Sequence, residues 1–214
     1  MTKTDKWRNA LLIAVGAVML SLSLSACTPH ETHRVKVTVT VDDNGVQRSG
    51  SSVMQFTCYK SNNSLGGMGI GGCDLKGEAV PVDLGAKGKL FMLLCGSNSY
   101  QMDGVIGDIM DARYGADSWD LDPDELPRLV TFDNLADPRT VEAVDPQHID
   151  KNFGAGVRLR SIHAEYTREP ITRGQIERVL PWLEGPRQML DGRGIVTTNN
   201  LSSQLSTGHF KTGD

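Results

Sequence analysis

An alternation of valines with polar residues is the clearest pattern in the chain. After Arg34, polar side chains at 36, 38 and 40 separate valines at 35, 37, 39 and 41. A period of two that is rich in β-branched residues predicts a strand with one buried face. This strand runs into Asn44-Gly45, which supplies the positive backbone angles of a tight hairpin turn. We therefore expect a second strand, with residues 53–59 as its most apolar part.

Further along, the pattern predicts more strands. Residues 78–84 and 89–94 form a second predicted hairpin across the glycine-containing turn 85–88. The arm 89–94 is apolar on both faces, as in a strand that is covered on both sides. Residues 129–132 predict another strand, and 157–166 alternate again with one irregularity. These elements predict a mainly β fold, with antiparallel hairpins forming a sheet or sandwich.

We expect one to three short helices beside the strands. Residues 105–114 have helical spacing weakened by two glycines, and 172–184 have apolar residues at helical spacing. Thr172 and Gln175 have capping-box spacing, and Pro181 should kink or end that helix. The predicted domain is single and covers 34–190. From Asp191 the chain is rich in Gly, Ser, Thr and Asn, which predicts a flexible tail over 191–214.

The N-terminus has the three-part layout of an export signal. A basic head is followed by an uncharged apolar run over 10–24 and a small-residue site that ends at Cys27. The apolar run is about 15 residues, whereas crossing a ~30 Å hydrocarbon core takes about 20. The segment therefore favours a cleaved signal over a permanent transmembrane helix.

Leu24-Ser25-Ala26-Cys27 resembles the lipobox of bacterial lipoproteins. The resemblance implies that residues 1–26 are removed, that the thiol of Cys27 receives a diacylglyceryl group, and that the new amino terminus is acylated with a fatty acid such as palmitate. Several acyl chains anchor a protein stably, whereas one gives marginal binding. The alternative is an ordinary signal peptide with a chance cysteine. Residues 27–33 would form a lipidated tether.

Thr28, rather than an aspartate, follows the cysteine. By resemblance to enterobacterial sorting, this implies the outer membrane, facing the periplasm.

Removal of the signal takes the formal net charge from −4 to −6. An acidic domain of this kind is not typical of nucleic-acid binders, and we expect no nucleic-acid partner. The expected partners are the membrane, through the lipid on Cys27, and an envelope protein that the sequence does not identify.

Three further cysteines remain in a predicted oxidising compartment: Cys58, Cys73 and Cys95. An odd number allows one pair with a free thiol, an intermolecular bond, or no bond. We favour pairing of Cys58 with Cys73, because they flank a Gly-rich loop. Cys95 follows an apolar run and favours a buried position.

No motif for catalysis or for metal or cofactor binding stands out. Gly67–Gly72 fits G-x-G-x-x-G by letter, but it lacks the preceding strand and following helix that dinucleotide binding needs. The acidic residues of 117–125 do not fit an EF-hand, which leaves a solvated loop or a weak calcium site. His30 and His33 lack the i, i+4 spacing of helical metal ligands. We expect no cofactor and no metal.

The other candidate residues are dispersed. His148, His163 and His209 are scattered, and no G-x-S-x-G supplies a nucleophile. A Ser-His-Asp site assembled from distant residues stays open. Trp119 and Trp182 are candidate recognition aromatics, although Trp182, between two leucines, favours a core or docking anchor.

The mature region also resembles a family of proteobacterial proteins, many of them predicted lipoproteins, to which we assign no activity. The similarity covers about residues 35–184 and is carried by the stretches 35–53, 77–84 with 90–94, 137–138 with 144–145, 153–159, and 169–172 with 180–183. It implies one coherent domain and supplies no catalytic residue. The expected function is a lipid-anchored, non-enzymatic binding or structural module of the envelope. The alternative is an envelope hydrolase with a dispersed active site.

Overall fold

The computed structural model describes residues 30–59, 73–96, 109, 116–122, 126–193 and 200–213. The chain divides into two compact units, Met1–Glu31 with Tyr59–Gly72, and Thr32–Cys58 with Cys73–Asp214. Nearly all described residues belong to the second unit, and the fold is that unit's. The predicted signal peptide, Cys27, the Gly67–Gly72 loop and most of the predicted helix 105–114 lie outside the described residues.

The described residues form two antiparallel sheets, which confirms the mainly β prediction. The first has six strands in the order β10-β3-β2-β1-β9-β6, and the second has four in the order β4-β5-β7-β8. In chain order the strands are β1 His30–Asp43, β2 Val46–Tyr59, β3 Cys73–Glu78, β4 Val80–Asp83, β5 Lys89–Gly96, β6 Ser118–Asp120, β7 Pro127–Phe132, β8 Val141–Val144, β9 Val157–Tyr166 and β10 Lys211–Thr212.

Two short α-helices accompany the sheets within the described ranges. Helix α1 is Asp150–Phe153 and helix α2 is Gln175–Val179. Single 3-10 turns occur at Gly85–Lys87, Pro138–Thr140, Pro181–Glu184, Leu201–Ser203 and Thr207–His209.

The first hairpin forms as the alternation predicts. The four valines of β1 are fully buried, and the turn to β2 places Asn44 at φ 54° and Gly45 at φ 87°. Both angles lie in the left-handed region, which Asn and Gly tolerate and which a two-residue hairpin turn needs. The predicted tether over 27–33 was too long, however, because β1 begins at His30 and Thr32 already pairs side chains with Thr57.

The predicted irregularity in 157–166 is a break in register between β1 and β9. Thr40 lies opposite Ser161, but Val41 lies opposite Leu159. Arg160 is therefore the extra residue of a β-bulge, which keeps the apolar positions on both sides of it facing the core.

The two sheets pack face to face around an inner core. From the first sheet it takes the valines of β1 with Met54 and Phe56 of β2, and from the second it takes Leu90, Met92 and Leu94 of β5. The backbones of β2 and β4 approach each other closely at Gly50, because a Cβ there would overlap the carbonyl oxygen of Pro81. Only glycine fits there without a shift.

The opposite face of β5 enters a second, outer core. Phe91, Leu93 and Cys95 pack there with Ile176 of α2 and with a C-terminal segment that includes Phe210. Residues 90–96 of β5 are all buried, which confirms a strand covered on both sides. The unit therefore has three layers: the first sheet, the second sheet, and a cap of helix, turns and irregular chain.

The expected flexible tail is wrong for residues 200–213. Leu205 and Phe210 are fully buried, and the Leu190 amide donates to the Leu205 carbonyl at 2.9 Å. Strand β10 pairs with the end of β3. Few apolar residues occur in this segment, but those present reach the outer core, and the backbone bonds hold the polar residues between them.

Helix α2 is shorter than predicted, and a different residue caps it. It ends at Val179, before Pro181, because proline cannot continue the hydrogen-bond pattern. The Thr172 hydroxyl accepts from the Val53 amide at 2.8 Å instead of capping the helix. The cap is the buried carboxylate of Glu78, which accepts from the amides of Gly174, Gln175 and Ile176.

Candidate functional site

One end of the sandwich holds the features closest to the predicted anchor. We call it the Thr32 end, because the second unit begins there at Thr32 of β1. At this end β2 ends, β3 begins and β9 ends. The Thr32 and Thr57 hydroxyls are 3.3 Å apart. Cys58 and Cys73 face each other across β2 and β3 and are joined by a disulfide, the pair that the sequence favours.

An aromatic rim closes the inner core at the Thr32 end. It consists of His33, Trp119 and Tyr166, with ring centroids 5.7 Å apart for His33 and Tyr166 and 5.2 Å for Trp119 and Tyr166. Trp119 is 6% exposed, whereas Tyr166 is 38% exposed. Tyr166 lies opposite the buried Val35, so its ring belongs to the core face of the sheet at the point where that face meets solvent.

Sequence reasoning missed this rim. Tyr166 is in phase with the core positions Ile162 and Ala164, so a signal was present in the alternation of β9. The partners Trp119 and His33 come from β6 and β1, and only the sheet order brings these strands to both sides of β9. Of the two candidate tryptophans, Trp182 is a core anchor, because its indole N–H donates to the Leu135 carbonyl at 2.9 Å and its ring packs on Phe132 and Phe210.

A carboxylate and an imidazole meet on the outer face of the first sheet. Asp120 of β6 and His163 of β9 are paired residues of adjacent strands, and Oδ1 of Asp120 lies 2.9 Å from Nδ1 of His163. Such a pair orients the base in Ser-His-Asp sites. Among the described residues, no serine or threonine hydroxyl is hydrogen-bonded to this ring, so the constellation has no nucleophile there.

Ser206 and His209 form a second contact that resembles a catalytic pair. The Ser206 hydroxyl is 3.4 Å from Nδ1 of His209, but the Ser206 amide donates to the same nitrogen at 2.8 Å. The lone pair of Nδ1 is therefore used by a backbone N–H in the capping box of the Thr207–His209 turn. A nitrogen held in this way stabilises the cap and cannot accept the serine proton.

The remaining cysteine is buried in the outer core. Burial raises the pKa of the Cys95 thiol to about 11, against an opposing effect of Arg128. Because the thiolate is the nucleophilic form, this thiol is unreactive at neutral pH.

The acidic residues do not assemble around a cation in the described part of the chain. Asp117, Asp120 and Asp122 are exposed, and no three His, Cys, Asp or Glu side chains of the described residues converge on one point. Asp124 and Glu125 lie outside the described residues. A surface cleft of about 360 Å³ lies beside α1 and the start of β9, where Asp150 and Arg158 are its charged residues.

No family model, curated protein or solved structure matches the chain. The resemblance to the proteobacterial family therefore stays a prediction. In the described ranges, no helix combines the length and apolar character needed to span a bilayer.

Proposed function

We propose that this chain is a bacterial lipoprotein, held through lipid on Cys27 at the outer membrane and facing the periplasm. The observation that carries the proposal is Leu24-Ser25-Ala26-Cys27, placed directly after an uncharged apolar run. That order of basic head, apolar run and small-residue cleavage site is the layout of an exported precursor.

Two structural features support this setting. The Cys58–Cys73 disulfide suits an oxidising compartment, where such bonds form and persist. Strand β1 begins at His30, so little chain separates the proposed lipid from the folded domain. A short link of this kind would keep the folded domain close to the membrane surface.

We further propose that the domain is a non-enzymatic binding or structural module. Its reactive residue types have structural uses: His209 closes a turn, Cys95 fills a core, and Glu78 caps a helix. The accessible features of the described residues include the exposed Tyr166 of the aromatic rim, the polar face of the first sheet and the cleft beside α1. Photocrosslinking in cells from the position of Tyr166 would identify what that surface contacts.

The anchoring proposal is tested by palmitate labelling and membrane fractionation of the full-length protein and of Cys27→Ser. Wild type should carry label and sediment with the outer membrane, and Cys27→Ser should lose the label. Thr28→Asp is the matched control, because it should keep the label and shift the protein to the inner membrane. Continued labelling of Cys27→Ser, or a wild type in the soluble fraction, would overturn the proposal.

A further inference from the structure

We infer that the aromatic rim of His33, Trp119 and Tyr166 rests on the lipid surface that holds the anchor, so that the Thr32 end of the sandwich faces the membrane. This inference rests on the proposed lipidation of Cys27 and specifies the orientation of the anchored domain. The partner of the rim is the headgroup region of the same leaflet.

The first argument is the length of the chain between lipid and domain. Cys27 precedes Thr32 by five positions, and five extended residues reach at most about 18 Å. Strand β1 continues from Thr32 to Asp43, which carries the opposite end of the sandwich about 37 Å further along the strand. The Thr32 end is therefore held near the bilayer, whereas the hairpin end reaches it only if the domain lies flat.

The second argument is the chemistry of the two ends. Among the described residues two large apolar or aromatic side chains are exposed, Tyr166 at the Thr32 end and Val46 at the hairpin end. Tyrosine, with an apolar ring and a polar hydroxyl, favours the headgroup level of a bilayer. The rim therefore places Tyr166, a side chain suited to the headgroup level, at the end of the domain that lies nearest the bilayer.

Charged pairs lie toward the hairpin end, and the Thr32 end carries one as well, where Lys36 lies 2.8 Å from Glu169. Lys87 lies 2.6 Å from Asp43, and Lys89 lies 2.5 Å from Asp83. Arg48 also contacts Asp43, at 3.4 Å. Moving such groups from water toward an apolar phase costs free energy, so the charged pairs of both ends stay in water and the orientation is set by the tether and by Tyr166.

The short tether also explains how contact by one exposed tyrosine is sufficient to orient the domain. A single exposed tyrosine binds a bilayer weakly on its own. A tether converts that contact into an intramolecular event with an effective concentration of about millimolar for short flexible linkers. The anchor supplies the attachment, and the rim sets the orientation.

The test uses the lipidated protein in vesicles that contain a headgroup spin-labelled lipid. Arg168→Cys places a fluorescent label two residues beyond Tyr166, and Val46→Cys places the same label at the hairpin end as the matched control. Both are made with Cys95→Ala, which removes the buried thiol. Quenching by the spin-labelled lipid should be several-fold stronger at 168 than at 46, and adding Tyr166→Ser should reduce the difference.

The outcomes separate the inference from the proposed function. If the labelled protein does not float with the vesicles, the lipid anchor fails, and the orientation fails with it. If it floats and both positions are quenched equally, the domain lies flat or tumbles, and the orientation alone is overturned. If position 168 is shielded from an aqueous quencher but not quenched by lipid, a copy of this chain covers the rim, and the lipid contact is overturned.

Discussion

The two faces of β5 enter cores that are built in different ways. The inner core lies between two sheets, and most of its side chains come from regular strands of those sheets. The outer core has one sheet face on one side, and α2, 3-10 turns and irregular chain on the other. Its final member, Phe210, belongs to the same cluster as Phe91 and Leu93 of β5, which lie more than a hundred positions earlier in the chain.

This difference predicts unequal stability within one domain. The β1–β2 hairpin closes a short loop, whereas the cap and the pairing of β1 with β9 both join distant residues. What separates the two cores is that β1 and β9 are held by a long ladder of backbone bonds within a sheet. A layer held by a few side chains and by exposed backbone bonds opens more easily than a core between sheets. We therefore expect the cap to exchange its amide hydrogens faster than β1 and β9.

The largest expected effect is on the outer core. Phe210 is fully buried between Phe132 and Trp182, at centroid distances of 5.9 and 5.6 Å. Phe210→Ala should lower the free energy of unfolding by about 3–5 kcal/mol. Urea unfolding monitored by tryptophan fluorescence measures this, with the exposed Val46→Ala as control. A loss no greater than the control's would show that the cap is not part of the core.

The next effect probes the contact between the sheets. Gly50→Ala places a Cβ against the Pro81 carbonyl, so the backbones must separate, and we expect a loss of about 1–3 kcal/mol. Gly185→Ala is the matched control, because its Cβ would meet the nearest atom, the Trp182 carbonyl oxygen, at an ordinary 3.6 Å. Equal stability of the two variants would contradict the close approach of β2 and β4.

A third effect of about 2 kcal/mol should follow from the helix cap, because hydrogen bonds to a charged acceptor contribute about that much. Glu78→Gln replaces one oxygen that accepts from α2 by an amide that donates toward the same N–H groups. Glu184→Gln, at an exposed site, is the control. Thermal unfolding and hydrogen exchange of 174–176 measure the effect, and unchanged protection of these amides would rule out the cap.

The smallest effect concerns a surface turn. The Arg139 guanidinium and backbone amide hold the pKa of Asp137 down at about 2, from an ordinary 3.8. A lowered pKa in the folded state gives stability that is present above pH 3.8 and is lost as the pH falls through about 2. Carbon-detected NMR should find this carboxyl titrating near pH 2, and Arg139→Gln should move it toward 3.8. A wild-type value near 3.8 would mean that the ion pair is absent in solution.

The sequence was most informative where the structure is local. The valine alternation, the Asn44-Gly45 turn and the two-sided burial of β5 each follow from neighbouring residues, and all three are confirmed. The C-terminal segment was misinterpreted because Leu205 and Phe210 are isolated among small polar residues. Their burial depends on a distant sheet face, which local composition does not indicate.

The candidate site also has some features that neighbouring residues indicate and others that depend on distant residues. The Cys58–Cys73 pair was indicated by the loop between the two cysteines. The aromatic rim was missed because it needs three strands that are adjacent only in the sheet. Glu78 was missed as a cap because Thr172 and Gln175 offered a local alternative, whereas the carboxylate that caps α2 comes from β3.

The most direct test of the central proposal is mass spectrometry of the mature amino terminus, purified from membranes with its lipid. We expect the chain to begin at Cys27, with the mass of a diacylglyceryl group and an acyl chain on that residue, and with residues 1–26 absent. A mature chain that begins elsewhere, or one in which Cys27 carries a free thiol, would contradict the lipid anchor.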